Sequence, residues 1–323
     1  MFRYSLRRIL GSIPLLVLIT AFVFALLQAA PGGPLSTGEG GGGTAEEAMS
    51  RMRVQWGLDQ PVHLQFVRWL GQLLQGEWGS SFNSGQPVLE LILQRLPATL
   101  QLTGLSLLLS MVLVIPLGTL AALRKRSWID YAITGVSISG ISMPIFWLAL
   151  MLLYVFSFNL GWLPSAGLGD IRASTEGWAA VAERLRYLAL PVTCFTLVTV
   201  AGLVRFMRGS MLDTLDQDYI RTVRSKGLPA RTVIGKHALR NALIPVVTMF
   251  AMELPRLFIG SVVIETIFAL PGVGRLFIDS VQVRDYPVLM GILVIASVLV
   301  VVSNLVADLL CGWLDPRIAL GKE

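Results

Sequence analysis

The sequence predicts an all-α integral membrane protein with six transmembrane helices. Of its 323 residues, 54% are hydrophobic and only 14% are charged, which is more apolar surface than a water-soluble globule can bury. Apolar runs of at least about 18 residues, long enough to cross roughly 30 Å of hydrocarbon, recur along the chain. Because these runs do not alternate apolar with polar residues, they favour helices over the strands of a membrane barrel.

Six apolar runs are predicted as spans, and prolines within them are expected to bend the helices. The spans are 9–30, 97–123, 132–158, 187–208, 242–266 and 288–312, and the prolines are Pro14, Pro116, Pro144 and Pro191. The chain then divides into an N-terminal transmembrane helix (1–30), an extracytoplasmic segment with amphipathic helices (31–96), and a five-helix core (97–323) that contains a cytoplasmic loop at 209–241.

The distribution of basic residues predicts the orientation of the spans. With the amino terminus in the cytoplasm, 16 of the 26 Lys and Arg residues lie on the cytoplasmic side, as the positive-inside rule requires. Both termini are therefore expected in the cytoplasm. The net charge of +6 does not indicate a nucleic-acid partner, because the basic residues lie beside spans and lack interleaved aromatic residues; the expected surroundings are membrane lipid.

A short amphipathic helix is predicted between the first two spans. Apolar residues recur there at helical spacing, with Pro61 near the start and Gly76 just past the end; they are Val62, Phe66, Trp69, Leu70, Leu73 and Leu74. The helix is expected either to lie in the membrane interface or to form a docking surface for an extracytoplasmic partner. The glycines at 38–43 that precede it are typical of a flexible connector.

A basic segment between two apolar runs predicts a cytoplasmic helical hairpin. Residues 221–240 contain six Lys or Arg residues and no acidic residue. Gly227 suits the left-handed stop of a first helix, and Pro229 suits the first residue of a second. On that second helix Val233, Ile234, His237 and Ala238 share one side, an apolar face that we expect the chain to leave unburied. The alternative is a basic loop that only fixes orientation against anionic lipid.

The motifs of an enzyme are not found in the sequence. Neither Gly-Lys pair, at 235–236 and at 321–322, is followed by the Ser or Thr of a phosphate-binding loop. The two histidines, His63 and His237, fall on opposite predicted sides of the membrane and cannot share a metal. We therefore expect no catalytic residue, no metal and no cofactor in this chain.

Charged residues in the fifth predicted span are candidates for a translocation path. Glu253 and Arg256 lie three residues apart near its centre, where each charge costs roughly 2.5 to 3.5 kcal/mol on insertion scales. They are expected either to line a pore and touch the termini of a zwitterionic solute, or to form an ion pair that stabilises the bundle. Glu265 is the third candidate, and its position near the span end predicts a side chain that reaches water.

The order of residues in the basic segment resembles the cytoplasmic signature loop of bacterial ABC importer permeases. RTVRSKGL (221–228) and HALRNALIP (237–245) are, more narrowly, similar to the peptide and nickel transporter permease family. The similarity covers nearly the whole chain through GLDQP (57–61), RWL (68–70), GEWGSSF (76–82), RLPATL (95–100), ETIF (265–268), PGVGR (271–275), RDYP (284–287) and DPR (315–317). The general signature begins Glu-Ala-Ala, whereas this chain has RTV at 221–223, so a salt bridge of that Glu is not carried over.

The resemblance implies a type I ABC importer permease fold in a bacterial cytoplasmic (inner) membrane. It implies a second, homologous permease, two cytoplasmic ATPase subunits that bind ATP and Mg, and an extracytoplasmic substrate-binding protein. Di- or oligopeptides are the expected substrates, with nickel, glutathione or another small solute as alternatives. A self-contained secondary transporter is the alternative outside the family, although the inverted repeats typical of that class are not found in the sequence.

In that family the basic loop is the coupling helix, which sits in a groove of the ATPase subunit. The residues expected to take this role are Arg224, Lys226, Gly227, Leu228, Pro229, Val233, Ile234, His237, Arg240 and Asn241.

Overall fold

The computed structural model describes residues 2–29, 60–169, 177–253 and 262–314, which are helical apart from short connections and one bridge between Ser80 and Pro87. The helices are α1 (Phe2–Ala29), α2 (Val62–Leu74), α3 (Val88–Leu123), α4 (Trp128–Ser142), α5 (Ile145–Leu152), α6 (Trp178–Leu215), α7 (Asp218–Ser225), α8 (Ala230–Thr232), α9 (Leu239–Met252), α10 (Val262–Ile267), α11 (Val273–Gln282) and α12 (Tyr286–Leu314). π-Helical turns extend α5 through Leu153–Asn159 and join α8 to α9 through Val233–Ala238. The all-α prediction is confirmed.

Four helices, α1, α3, α6 and α12, are long and apolar enough to cross a membrane. Two of them extend well beyond the predicted spans: α3 begins at Val88 rather than at residue 97, and α6 covers 38 residues. The additional turns contain polar residues such as Glu90 and Arg184. A helix keeps its hydrogen bonds outside the hydrocarbon as well as within it, so an apolar run marks only the part of a helix that lipid surrounds.

The predicted span 132–158 is bent rather than straight. The axes of Trp128–Ser142 and Ile145–Asn159 differ by 105°. Met143 and Pro144 at the break are both extended, since proline offers no N–H and forces the preceding residue out of the helical region. Counting this pair as one span gives up to five in the part of the chain that the structure describes. The predicted span 242–266 runs past Glu253, beyond which residues 254–261 lie outside the described residues.

The largest part of the core lies between α3 and α6. Met207 and Met211 of α6 are fully buried against Val114 of α3. At Gly118 of α3 an added Cβ would come within 2.5 Å of the Met207 side chain. The missing side chain therefore lets the two helices approach closely, as small residues do between membrane helices.

A bidentate ion pair fixes the start of α4 to α6. Arg208 donates from Nε to Oδ1 of Asp130 at 2.6 Å and from Nη2 to Oδ2 at 2.7 Å. The backbone N–H of Arg126 donates to the same carboxylate at 2.9 Å. Two parallel charge-assisted bonds of this kind are both strong and directional, so they hold the two helices in one relative position.

Candidate functional site

The predicted basic hairpin is confirmed between α7 and α8. Its first helix ends at Ser225, and Gly227 has a φ of +74°, the left-handed conformation expected of a helix stop. The Gly227 N–H donates to the carbonyl of Arg224 at 3.0 Å. The second helix begins at Ala230, with Pro229 as its extended cap rather than as its first residue.

The expectation that the apolar face of the second helix stays unburied was wrong. Val233 is only 2% exposed and Ala238 is fully buried, and both belong to the core cluster that contains Met207 and Met211 of α6. Ile234 is partly buried against the same cluster, and His237 is half-buried. The reason is that α8 continues without a break through the π-helical turn into α9, which packs along α6 and turns this face onto the chain's own core.

The longest continuous exposed stretch of the hairpin is its tip, residues 224–231. Every residue from Arg224 to Arg231 is exposed, and Leu228 at the turn exposes 40% of its surface. The tip also contains three basic residues, Arg224, Lys226 and Arg231, and no acidic residue. Such a surface fits an apolar groove with an acidic rim on another protein.

Polar contacts close the base of the hairpin. The Asn241 amide donates to the Tyr219 hydroxyl of α7 at 2.9 Å. The Ser210 hydroxyl of α6 donates to the carbonyl of Ala242 at 2.8 Å. Of the predicted residues, Arg240 and Asn241 are thus at the exposed base, away from the tip. These two hydrogen bonds join α6, α7 and α9 at the base of the hairpin.

The candidate pair in the fifth span is only partly described. Glu253 caps the end of α9, and Arg256 lies outside the described residues. Whether the two side chains meet stays a prediction.

Glu265 does not reach water, contrary to the expectation from its position near a span end. It is 0% exposed. Its Oε1 accepts the Thr99 hydroxyl of α3 at 2.9 Å, and its Oε2 accepts the backbone N–H of Arg275 at 3.0 Å. The Thr99 oxygen in turn accepts the N–H of Val273 at 2.8 Å. We call these four residues the Glu265 clamp. Its geometry is that of a structural carboxylate, held between α3 and the first turn of α11.

Two glycines make room for this carboxylate. A Cβ at Gly272 would collide with the Glu265 carboxylate and lie 2.7 Å from the Thr99 hydroxyl, and a Cβ at Gly274 would lie 2.9 Å from Oε2. The loop therefore wraps the carboxylate at a distance that only glycine permits. Three of the quoted motifs, RLPATL, ETIF and PGVGR, meet at this point.

A second buried carboxylate joins residues more than 200 positions apart. Asp285, 3% exposed, accepts the Ser81 hydroxyl and the Phe82 N–H, the latter at 3.0 Å. We call this group the Asp285 clamp. It attaches GEWGSSF, between α2 and α3, to RDYP, at the start of α12. In the sequence, Ser81 and Asp285 belong to two separate motifs. No pattern in either segment predicts that these two residues are in contact.

Replacing Asp285 by Asn should lower the stability of the protein. The Ser81 hydroxyl and the N–H groups of Phe82 and Asn83 all donate to the carboxylate. An amide offers these donors a single oxygen and turns its own N–H₂ toward them, so we expect a loss of about 1 to 3 kcal/mol in the free energy of unfolding. Thermal unfolding of the purified protein in detergent measures this. Asp279→Asn is the matched control, because Asp279 is 56% exposed and its contact with Arg275 is 3.8 Å long, worth less than about 1 kcal/mol. Equal shifts in both variants would contradict a structural role for Asp285.

The described residues contain no group of three or more His, Cys, Asp or Glu side chains that could hold a metal ion. His63 lies on α2 and His237 in the π-helical turn before α9. Absence of a metal and of a cofactor from this chain stays a prediction.

Two family models together match almost the whole chain. One, described as the binding-protein-dependent transport system inner membrane component, matches residues 114–320. The other, described as the N-terminal part of the membrane component of such systems, matches residues 1–103.

Individual relatives match over nearly their full length. The chain is 44% identical over 316 residues to the oligopeptide transport system permease protein AppB of Bacillus subtilis (strain 168), covering 98% of each chain. It is 39% identical over 313 residues to a putative peptide transport system permease protein of Brucella suis biovar 1, covering 97% of this chain and 98% of the relative. Among solved structures, a chain of the MetNI methionine ABC transporter in an inward-facing conformation matches with a TM-score of 0.54 and 19% identity, over 71% of this chain and 98% of that one, which is a likeness of fold.

Proposed function

We propose that this chain, which belongs to the family of binding-protein-dependent transport system inner membrane components, is a pore-forming permease of an ATP-driven importer for di- or oligopeptides. The substrate class rests on its relatives, since those that match over nearly their full length are named as peptide or oligopeptide permeases. The protein is a multi-pass protein of the inner membrane, and we place both termini in the cytoplasm from the distribution of its basic residues.

The observation that carries the coupling role is the exposed hairpin tip. A permease without a nucleotide site of its own needs motion from a partner, and the tip offers an exposed leucine and three basic residues on a short turn. Two cytoplasmic ATPase subunits, which bind ATP and Mg, supply this motion, and one of them receives the tip in a groove.

The same hairpin explains how motion would reach the pore. Val233 and Ala238 pack against Met207 and Met211 of α6, and the helix that carries them continues into α9. A displacement of the tip therefore moves α6 and α9 as one packed unit. Closely packed cores switch between discrete arrangements rather than deforming continuously, which suits alternating access.

The proposal includes two further partners, a second permease and a binding protein. One chain with at most five or six spans forms half of a pore, and a second, homologous permease completes it. Large apolar side chains exposed on α4 and α5, among them Val136, Phe146 and Tyr154, supply surface for that permease or for lipid. An extracytoplasmic binding protein delivers the substrate.

Uptake by the reconstituted complex tests the substrate class. Proteoliposomes that contain both permeases, both ATPases and the binding protein should accumulate labelled di- or oligopeptides when ATP is supplied. Uptake of nickel or glutathione in place of peptides would overturn the substrate assignment and leave the coupling role intact. Ion-driven uptake by this chain alone would overturn the importer assignment.

Cysteine cross-linking should distinguish the tip from the buried face. Leu228→Cys places a thiol on the exposed tip, and we expect it to cross-link to a cysteine introduced in the groove of an ATPase subunit. Val233→Cys lies in the same hairpin but is buried, so it should give no cross-link. Gel analysis after oxidation measures both; cross-linking by Val233→Cys without Leu228→Cys would contradict docking through the tip.

A further inference from the structure

A cleft of about 140 Å³ lies between the end of α1, the helix α2, the segment before α3 and the start of α12. Apolar residues of its lining include Phe24, Trp69 and Met290, and polar residues include Gln28, Arg68 and Glu77. None of the roles proposed above uses this cleft.

The cleft is built by contacts between α1 and α2. Phe24 of α1 lies 5.5 Å from Phe66 and 6.1 Å from Trp69, measured between ring centroids. The Gln28 amide donates to the side-chain carbonyl of Gln65 at 2.5 Å. Both an aromatic cluster and a hydrogen bond thus hold α2 against the end of α1, so the walls have a defined shape.

The position of the cleft is that of a membrane interface. Helix α1 is an apolar span with very little of its surface buried; Leu18, Phe22 and Leu26 on it are more than half exposed, as lipid-facing residues are. Trp69, Trp78 and Tyr286 all line the cleft at the end of this span. Tryptophan and tyrosine concentrate where hydrocarbon meets the head groups.

Opposite charges are available at the mouth of the cleft. Arg68 and Glu77 are both exposed, and within the ranges that the structure describes neither makes an ion pair. A guanidinium binds a phosphate through two parallel bonds, and a carboxylate accepts hydrogen bonds from an ammonium group. The lining of the cleft thus offers partners for both charges of a zwitterion and apolar surface for a hydrocarbon chain.

We propose that this cleft binds one phospholipid whose head group carries a primary amine, phosphatidylethanolamine. Arg68 binds the phosphate, Glu77 binds the ammonium group, and one acyl chain lies along Phe24 and Met290. A zwitterionic peptide has the same two charges, but the cleft is lined by the end of α1, a helix with very little of its surface buried, and by no residue of α3 or α6. The bound lipid would hold α2 at the membrane interface, and this role does not depend on which solute the protein transports.

Native mass spectrometry of the purified transporter complex in detergent tests the proposal. The probes are phosphatidylethanolamine, phosphatidylcholine and phosphatidylglycerol with identical acyl chains, each titrated separately. We expect the wild-type complex to prefer phosphatidylethanolamine, because the quaternary ammonium of phosphatidylcholine has no N–H to donate and the head group of phosphatidylglycerol has no cation. Loss of one charge-assisted bond weakens binding about tenfold.

The two variants should differ in a way that general destabilisation would not. Arg68→Gln should weaken binding of all three lipids about tenfold, whereas Glu77→Gln should weaken phosphatidylethanolamine binding alone, to the level of phosphatidylcholine. His63→Gln and Glu90→Gln, which are exposed and lie outside the cleft, should leave all three affinities unchanged. Equal binding of the three lipids by the wild type, no binding of any, or an equal effect of Glu77→Gln on all three would overturn the proposal.

Discussion

Gly227→Val is expected to reduce ATP-driven uptake by the assembled transporter at least tenfold. The φ of +74° at Gly227 is a conformation in which a β-branched residue is a genuine outlier, and each L-residue placed there costs roughly 1 to 2 kcal/mol or more. No atom lies near the position that a Cβ would occupy, so the effect comes from the backbone alone. Valine would move the chain toward negative φ, change the angle between α7 and α8, and displace Leu228 from the groove of the ATPase. Uptake and ATP hydrolysis measured on the same proteoliposomes report the loss.

Gly235→Val is the matched control for this change. Gly235 lies in the same hairpin, is exposed, and also has no atom within 4 Å of a Cβ, but its φ is not positive. We expect its uptake to stay within about twofold of the wild type, since valine in a helix interior is only slightly unfavourable. Full uptake by Gly227→Val in a normally assembled complex would show that the angle of the hairpin is not what transmits motion.

Gly272→Ala is expected to destabilise the protein by about 1 to 3 kcal/mol or more, the usual cost of overpacking a buried site. The backbone of Gly272 has a φ of −102°, which alanine adopts without strain. The expected destabilisation comes from the lack of space for a methyl group. The new methyl group would collide with the Glu265 carboxylate and lie 2.7 Å from the Thr99 hydroxyl. It would push the loop before α11 away from α3. Thermal unfolding in detergent and the yield of assembled complex measure the effect.

Two further variants separate this collision from a general intolerance of alanine. Gly104→Ala, on α3 with no atom within 4 Å of its Cβ, should be neutral or slightly stabilising. Glu265→Ala removes the carboxylate and leaves buried donors unpaired, which is itself destabilising. Added to Glu265→Ala, Gly272→Ala should cost less than it does alone, because the carboxylate that the methyl group would strike is gone and only the Thr99 hydroxyl remains close to it. Strictly additive losses would refute the close approach.

Local patterns in the sequence were enough to predict individual helices and turns. The predicted amphipathic helix α2 occupies Val62–Leu74, and Gly76 follows it with a φ of +88°. Both features were predictable because the spacing of apolar residues and the glycine that ends a helix are local properties of the sequence. The break at Pro144 and the stop at Gly227 are confirmed for the same reason. The limits of α3 and α6 were not predicted, since only their lipid-surrounded part is apolar.

The direction in which a face points was not predictable in the same way. The spacing of Val233 and Ala238 predicts that they share one apolar face of a helix. The spacing does not show whether that face contacts another protein or the chain's own α6. The answer depends on the continuous helix from Ala230 to Met252, which sets the rotation of the hairpin. The structure therefore exposes Leu228 and its basic neighbours in the chain, whereas Val233 and Ala238 are buried.

The sequence by itself determined that this protein is helical and membrane-spanning, that a basic hairpin with a glycine stop interrupts its spans, and which family it resembles. Those properties depend on residue type and on spacing over a few turns. Only the tertiary structure decided that Glu265 is buried against Thr99, that Asp285 holds Ser81, and that Arg68 and Glu77 line one cleft. Such pairings join positions up to about 200 residues apart, and they exist only because packing of the helices brings distant segments within the few ångströms over which hydrogen bonds and steric contact act.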